Sequence, residues 1–369
     1  MKKLLFGITS LTIGGAERVL VDLANRLVQE YDITIFTIYA GGPLEKELDE
    51  RIHLISLYDK QYSEFSKIEK IKISLRLIFK DKIPEGYNDV IAFLEGPITR
   101  LFSKKYAKHV KKIAWVHTDI SKIWGKGFKA SIKKYIDAKI YKKYNTVVFV
   151  SNELLKNFNK KNINTYGQKR IAIKNYLDYE KVILKSKENT DIEFSKKDIN
   201  LVTVCRLVEA KGLDRYIRIH KKLEDEGYHS KVYIVGDGPL RYDLQKQIDK
   251  ANETENFFLI GARENPYPYI KSADYFCLFS YFEGYGMVVD EAKTLGKRIL
   301  ISRTSAVECV AGYEKAKIFE NTEQGIFNGL KEVLNNKDNS KNEILDEKQI
   351  IRDSKNNYEK VIKSIELLL

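Results

Sequence analysis

Unbroken apolar runs alternate along this chain with stretches in which apolar residues recur every third or fourth position. Residues 2–9 form the first run and read as a buried strand. A loop containing Gly14 and Gly15 follows, and residues 16–30 carry Val19, Leu20, Leu23 and Leu27 at helical spacing. Further strands are predicted at 33–38, 53–57, 90–94, 113–117 and 146–150, with helices at 68–79 and 128–144, and Ser151 caps another helix start. Strands that are apolar throughout, separated by helices, predict a parallel sheet covered on both faces. The glycine pair would let backbone amides approach a ligand. It is also ordinary turn chemistry, and it lacks the Gly-x-Gly-x-x-Gly spacing of a dinucleotide site.

From about 180 to 200 the pattern lapses into polar residues, which reads as an interdomain connection. A second series then begins, with strands at 200–205, 231–235, 257–260, 274–279 and 298–301. Helices are predicted at 213–223, 240–250 and 267–271, another opens near Gly286, and 350–369 is again helical in period. The expectation is an α/β protein of two Rossmann-like halves, 1–182 and 183–352, followed by a terminal helix, 353–369.

Composition narrows this picture without altering it. A length of 369 residues supports two cores. No apolar run approaches the roughly 18 residues needed to span a bilayer, and Met1-Lys2-Lys3 leads straight into a strand, so an intracellular protein without a signal peptide is expected. Three cysteines, Cys205, Cys277 and Cys309, lie in apolar segments and suggest neither a disulfide framework nor a metal cluster. The net charge of +13 is concentrated: residues 60–143 hold 21 Lys and Arg against 8 Asp and Glu, a surplus equal to that of the whole chain. Such a region attracts nucleic acid or an anionic membrane, or it is a solvated lysine-rich surface.

Candidate chemistry centres on Glu283-Gly284-Tyr285-Gly286-Met287-Val288 and on Glu291. A strand end followed by two glycines and a helix places Glu283 just outside a helix mouth, where unpaired amides and the helix dipole favour an anion such as phosphate. Glu291, a little over two turns along, leans back toward the same mouth. Chance spacing gives many such pairs, but here Val288 and Val289 set the helix in a core. Arg206 and Lys211 bracket the turn after the first strand of the second half, where two cations can hold a diphosphate or simply face solvent. His117 ends a strand, on the edge where open parallel sheets collect ligands. An isolated histidine is also often structural.

Taken in order, Gly14-Gly15-Ala16-Glu17, His117, Ser151-Asn152-Glu153, Asn175 with Asp178, Arg206 with Lys211-Gly212, Gly236-Asp237-Gly238-Pro239 and Glu283 with Glu291 resemble glycosyltransferase family 4, the retaining enzymes of GT-B fold. The resemblance spans nearly the whole chain. It implies two Rossmann-like domains facing each other across a cleft, with the C-terminal helix crossing back to the first. Arg206 and Lys211 would grip the donor diphosphate, and Glu291 would bind the ribose. Glu283, with the amides of Gly284, Tyr285, Gly286, Met287 and Val288, would hold the sugar. Gly14 and Gly15 would close over the phosphates and acceptor side, and His117 would touch the transferring sugar. The family implies no metal and no cofactor. Three positions depart from its pattern: Cys205 where glycine is common, Asp290 where an apolar residue is usual, and Arg303 where an acid is frequent.

The resulting expectation is a hexosyltransferase using a nucleotide diphosphate sugar, more readily UDP-linked than GDP-linked, in cell-surface polysaccharide synthesis. The basic, aromatic-interleaved region 60–143 suggests a glycan acceptor on a polyprenyl diphosphate and a peripheral site at the inner face of the cell membrane. A nucleotide-sugar epimerase or a phosphorylase of the same fold is the alternative. Nucleic-acid binding has no supporting signature.

Overall fold

The computed structural model describes residues 1–79, 83–104, 109–120, 127–160, 168–336 and 347–369. The chain divides into two compact units, Met1–Leu177 with Lys360–Leu369, and Asp178–Glu359.

The first unit is built on seven strands, β1 (Lys2–Ile8), β2 (Tyr31–Tyr39), β3 (His53–Tyr58), β4 (Asp89–Ala92), β5 (Lys111–Val116), β6 (Thr146–Phe149) and β7 (Lys169–Ala172). All pair in parallel, in the order β3-β2-β1-β4-β5-β6-β7. Its helices are α1 (Gly15–Leu27), α2 (Lys67–Phe79), α3 (Pro97–Phe102), α4 (Phe128–Tyr141) and α5 (Asn152–Lys160). The central strands are apolar on both faces because both are covered: Leu4, Leu5, Phe6 and Ile8 of β1 are fully buried, as are Leu20, Leu23 and Leu27 of α1.

The second unit runs α6 (Tyr179–Lys185), β8 (Ile199–Val204), α7 (Leu213–Asp225), β9 (Ser230–Val235), α8 (Arg241–Lys250), β10 (Phe257–Gly261), α9 (Tyr267–Ser272), β11 (Tyr275–Leu278), α10 (Met287–Thr294), β12 (Arg298–Ser302), β13 (Ala316–Phe319) and α11 (Glu323–Asn335). Its six strands are also all parallel, in the order β10-β9-β8-β11-β12-β13. A last helix, α12 (Glu347–Glu366), begins in the second unit and ends in the first. There, Lys2 and Lys111 donate to the carbonyls of Leu369 and Leu368. The three cysteines are buried and in no disulfide.

Five of these elements, α3, α6, β7, β13 and α11, have no counterpart among those the sequence predicts. The polar stretch read as a connection opens with α6, capped by Asp178, whose carboxylate accepts from the Lys181 amide at 3.0 Å. Strands β7 and β13 show no apolar run, and both lie at sheet edges. A strand with one neighbour is less enclosed and can carry Lys and Arg.

Both strand orders reverse direction once, between β1 and β4 and between β8 and β11. At such a point successive connections leave on opposite faces of the sheet, opening a crevice at the carboxyl edge.

Candidate active site

In the second unit that crevice is formed by the turn after β8 and the loop after β11, and the backbone brings the two close together. Gly212, at φ 63°, ends the first turn, and a Cβ there would lie 2.6 Å from the Phe279 carbonyl oxygen, so a side chain would push the β11 loop away. The Tyr281 amide donates to the Ala210 carbonyl across the same gap at 2.9 Å. As a result Lys211 Nζ reaches Glu283 Oε1 at 2.7 Å, with the carboxylate side chain only 7% exposed. Ser280 Oγ donates to the same oxygen at 2.5 Å, and Ser305 Oγ donates to the Glu283 carbonyl at 2.5 Å. An ammonium group has three donors, so Lys211 keeps hydrogen-bonding capacity beyond this pair.

Arg215 braces the loop from behind, and nothing in its sequence position announced it. It is 2% exposed and donates to Phe279 O at 2.8 Å, Ser280 O at 2.9 Å and Asn321 Oδ1 at 2.5 Å, with Tyr281 over its guanidinium at 4.3 Å. Burial lowers its pKa, and the neighbouring Tyr281 and Asp214 act in the opposite direction. A fixed guanidinium spent on carbonyls holds a loop rather than a ligand.

Arg206 is exposed on the turn after β8. Facing that turn, Gly236 and Gly238 approach the backbone closely: a Cβ on Gly236 would lie 1.9 Å from the Cys205 carbonyl oxygen, and one on Gly238 2.5 Å from that of Leu207. These glycines therefore serve close backbone packing. The helix mouth lies where the sequence predicts. Gly286, at φ 93°, precedes α10 with no side-chain cap, so the first-turn amides of Met287 and Val288 are presented at the edge holding Lys211 and Glu283. Glu291 is buried in the same helix. Gly284 lies in the connecting loop, and Tyr285 turns its ring into the core, where it is 4% exposed.

The first unit's crevice has a different character. Gly14 and Gly15 lie at the start of α1, and the Glu17 carboxylate folds back over Gly14, 2.3 Å from where a Cβ would stand. Glu95, absent from the sequence-based candidates, follows β4. Its carboxylate accepts from the His117 amide at 3.0 Å and from the Thr118 hydroxyl. Burial raises the Glu95 carboxyl, while the Thr118 and His117 donors act against that rise. Burial also raises Glu17, its own backbone N–H opposes the shift, and the Glu95 carboxylate adds to it. His117 is 7% exposed, packed on Phe93 at 5.0 Å between ring centroids. Burial lowers its pKa to about 3 against a hydrogen bond to the Phe93 backbone. Among the described residues Nε2 has no hydrogen-bond partner, so Nδ1 makes that bond as donor and Nε2 is left as a buried acceptor.

A second histidine shows what a satisfied one looks like. His220 is fully buried, with Nδ1 at 2.8 Å from Glu253 Oε2 and Nε2 at 3.1 Å from Ser230 Oγ. Ser, His and Glu line up as in a hydrolase, but all three are sealed in the core and reach no substrate.

The structure thus groups Arg206, Lys211, Glu283, Gly284, Gly286, Met287, Val288 and Glu291 at one edge, and Gly14, Gly15 and His117 with Glu95 at the other. The basic region is described except for residues 80–82, 105–108 and 121–126, which lie outside the described residues. Within it α2 exposes Ile68, Ile71 and Leu75, and α4 exposes Phe128, Ile132, Tyr135 and Ile136. No helix among the described residues is long and apolar enough to cross a membrane.

Residues 13–169 match the model of Glycosyltransferase Family 4, and residues 185–350 that of Glycosyl transferases group 1. The chain is 25% identical over 341 residues, 90% of each protein, to N-acetylgalactosamine-N,N'-diacetylbacillosaminyl-diphospho-undecaprenol 4-alpha-N-acetylgalactosaminyltransferase of Campylobacter jejuni. It is 25% identical over 285 residues, 76% of this chain and 74% of the other, to the amylovoran biosynthesis glycosyltransferase AmsD of Erwinia amylovora. Anabaena HepE, solved in complex with UDP and glucose, superposes with a TM-score of 0.72 at 15% identity, covering 99% of this chain and all of that one. With both halves matched in order and the fold shared end to end, the chain belongs to glycosyltransferase family 4 and has the GT-B fold.

Proposed function

We propose that this glycosyltransferase moves a hexose-type sugar from a UDP-linked donor to a glycan carried on a polyprenyl diphosphate, with retention at the anomeric carbon and without a metal, in cell-surface polysaccharide synthesis. The observation that carries this reading is Lys211 paired with Glu283 at 2.7 Å, beside the uncapped start of α10.

As the bond from C1 to the diphosphate breaks, positive charge grows on the sugar and negative charge on the leaving group. Lys211 and Arg206, with the amides of Met287 and Val288, receive the diphosphate charge in the place where other enzymes use magnesium. Glu283, fixed by Lys211 and Ser280, holds sugar hydroxyls with the loop amides of Gly284, Tyr285 and Gly286, and Glu291 takes the ribose. The acceptor oxygen bonds to C1 on the face the diphosphate leaves, and its proton passes to a diphosphate oxygen. The first unit's edge offers acceptors, Glu17, Glu95 and neutral His117 Nε2, which complement the hydroxyl donors of a sugar and repel a phosphate.

Two relatives are named for transfer to undecaprenol-linked glycans. The apolar stripes of α2 and α4, flanked by Lys67, Lys70, Lys72, Lys133, Lys134 and Lys139, suit an anionic membrane at the cytoplasmic face. Liposome flotation tests that part: equal recovery with anionic and neutral vesicles would remove it.

The enzymatic reading is tested with a panel of nucleotide sugars, read by thermal shift and by transfer to a polyprenyl-diphosphate glycan. The expected result is one stabilising UDP-sugar and chelator-insensitive transfer that keeps the anomeric configuration. Conversion of the donor without acceptor would instead identify an epimerase, and phosphate-dependent release a phosphorylase.

A further inference from the structure

Asp290 departs from the family pattern, and its surroundings give it a use. It lies on α10, seven residues beyond Glu283, and is 2% exposed. A carboxylate that deep persists only where hydrogen bonds hold it, so its partners reveal what it is for. The Tyr285 hydroxyl donates to Asp290 Oδ2 at 2.6 Å, with both groups buried. Tyr285 stands between Gly284 and Gly286, two residues that give the backbone little stiffness of their own. The loop behind Glu283 is therefore fixed by what Tyr285 grips. Its other ties are weaker or act at a different point: the Cys309 thiol donates to the Tyr285 carbonyl at 3.2 Å, and Ser305 holds the Glu283 carbonyl.

Tyr358 of α12 is buried in the same unit. The Tyr358 ring stacks on Tyr179 with centroids 6.1 Å apart and planes within 6°. Tyr179 comes one residue after the chain enters the second unit at Asp178, and Tyr358 one residue before it leaves after Glu359.

We infer that Asp290 is a positioning residue for the donor site: it holds Tyr285, and through it the loop bearing Glu283. This deepens the proposed donor reading and rests on it. Asp290→Asn keeps an acceptor for the Tyr285 hydroxyl, whereas Asp290→Leu fills the space without one, and Tyr285→Phe removes the donor.

With the UDP-sugar that supports turnover, Asp290→Asn should stay within about threefold of wild type in donor KM. Asp290→Leu and Tyr285→Phe should each lose about tenfold in kcat/KM, mostly through KM, as one hydrogen bond implies. The double variant Asp290→Leu with Tyr285→Phe should be no worse than Asp290→Leu alone, because both remove one tie. Melting temperatures identify any variant that merely fails to fold. Hydrogen exchange of the amides at 283–287, measured without nucleotide, should quicken in Asp290→Leu and not in Asp290→Asn. Unchanged exchange and unchanged donor KM in a folded Asp290→Leu protein, or losses that add in the double variant, would overturn the inference. Faster exchange in Asp290→Leu, together with a wild-type protein that binds no nucleotide, would uphold the tether and remove the donor reading instead.

Discussion

The two carboxyl edges have the same topology and opposite chemistry. Beyond β8 and β11, a lysine is paired to a carboxylate beside an open helix mouth, with an exposed arginine on the adjoining turn. Beyond β1, β4 and β5 there are two carboxyl groups and an imidazole that burial keeps neutral. One edge presents cationic and amide donors, and the other presents acceptors. Strand order decides where a ligand can lie, and side chains decide which part of it lies there.

The largest effect should come from taking the cation out of the anionic edge. Lys211→Ala is expected to lose about 100- to 1,000-fold in kcat/KM, the range for removing one transition-state donor, with the melting temperature nearly unchanged and the UDP-induced thermal shift much reduced. A full UDP shift in that variant would place the diphosphate elsewhere and erase the contrast between the edges. Glu95→Gln should act on the other partner, raising acceptor KM about tenfold while leaving the UDP shift intact. If it weakened UDP instead, the first unit's edge would be a phosphate-side element after all.

The smallest effects concern stability and have opposite signs. Burial raises the folded Glu95 carboxyl above its unfolded value, so its contribution to stability is full at acidic pH and is lost as pH rises through the folded pKa. Glu95→Gln should therefore melt higher than wild type at pH 8, and the gap should close toward pH 4. His117 is lowered to about 3 from 6.5, so the folded protein resists its protonation, and stability falls as pH drops through that window. His117→Asn should flatten the wild-type decline between about pH 6 and pH 4. A matching slope in both proteins would mean that the imidazole is not sealed.

How much of this was visible in the sequence follows from how each feature is built. The central strands show as apolar runs because both faces are covered, whereas β7 and β13 at the edges carry Lys169, Arg170 and Lys317 and show no such run. Lys211 and Glu283 were found separately, each beside a glycine in a turn after a predicted strand. Their pairing across 72 residues depends on strand order and on Gly212, neither of which has a local signature. Glu95 was missed because Leu94-Glu95-Gly96-Pro97 looks like a surface turn, and only the place of β4 beside β1 makes it an edge residue. Arg215 was hidden for another reason, since a charged residue on a helix reads as solvated until its burial is seen, and Asp290 showed only as a charge where the family pattern is apolar.

The Tyr179–Tyr358 stack has a further consequence. It joins side chains next to the two ends of residues 178–359, a continuous segment that forms one unit while the chain before and after it belongs to the other. A cassette closed in this way can be exchanged between relatives without cutting through a sheet. Such an exchange would move the second sheet whole with its carboxyl edge, and leave the first sheet and its edge behind.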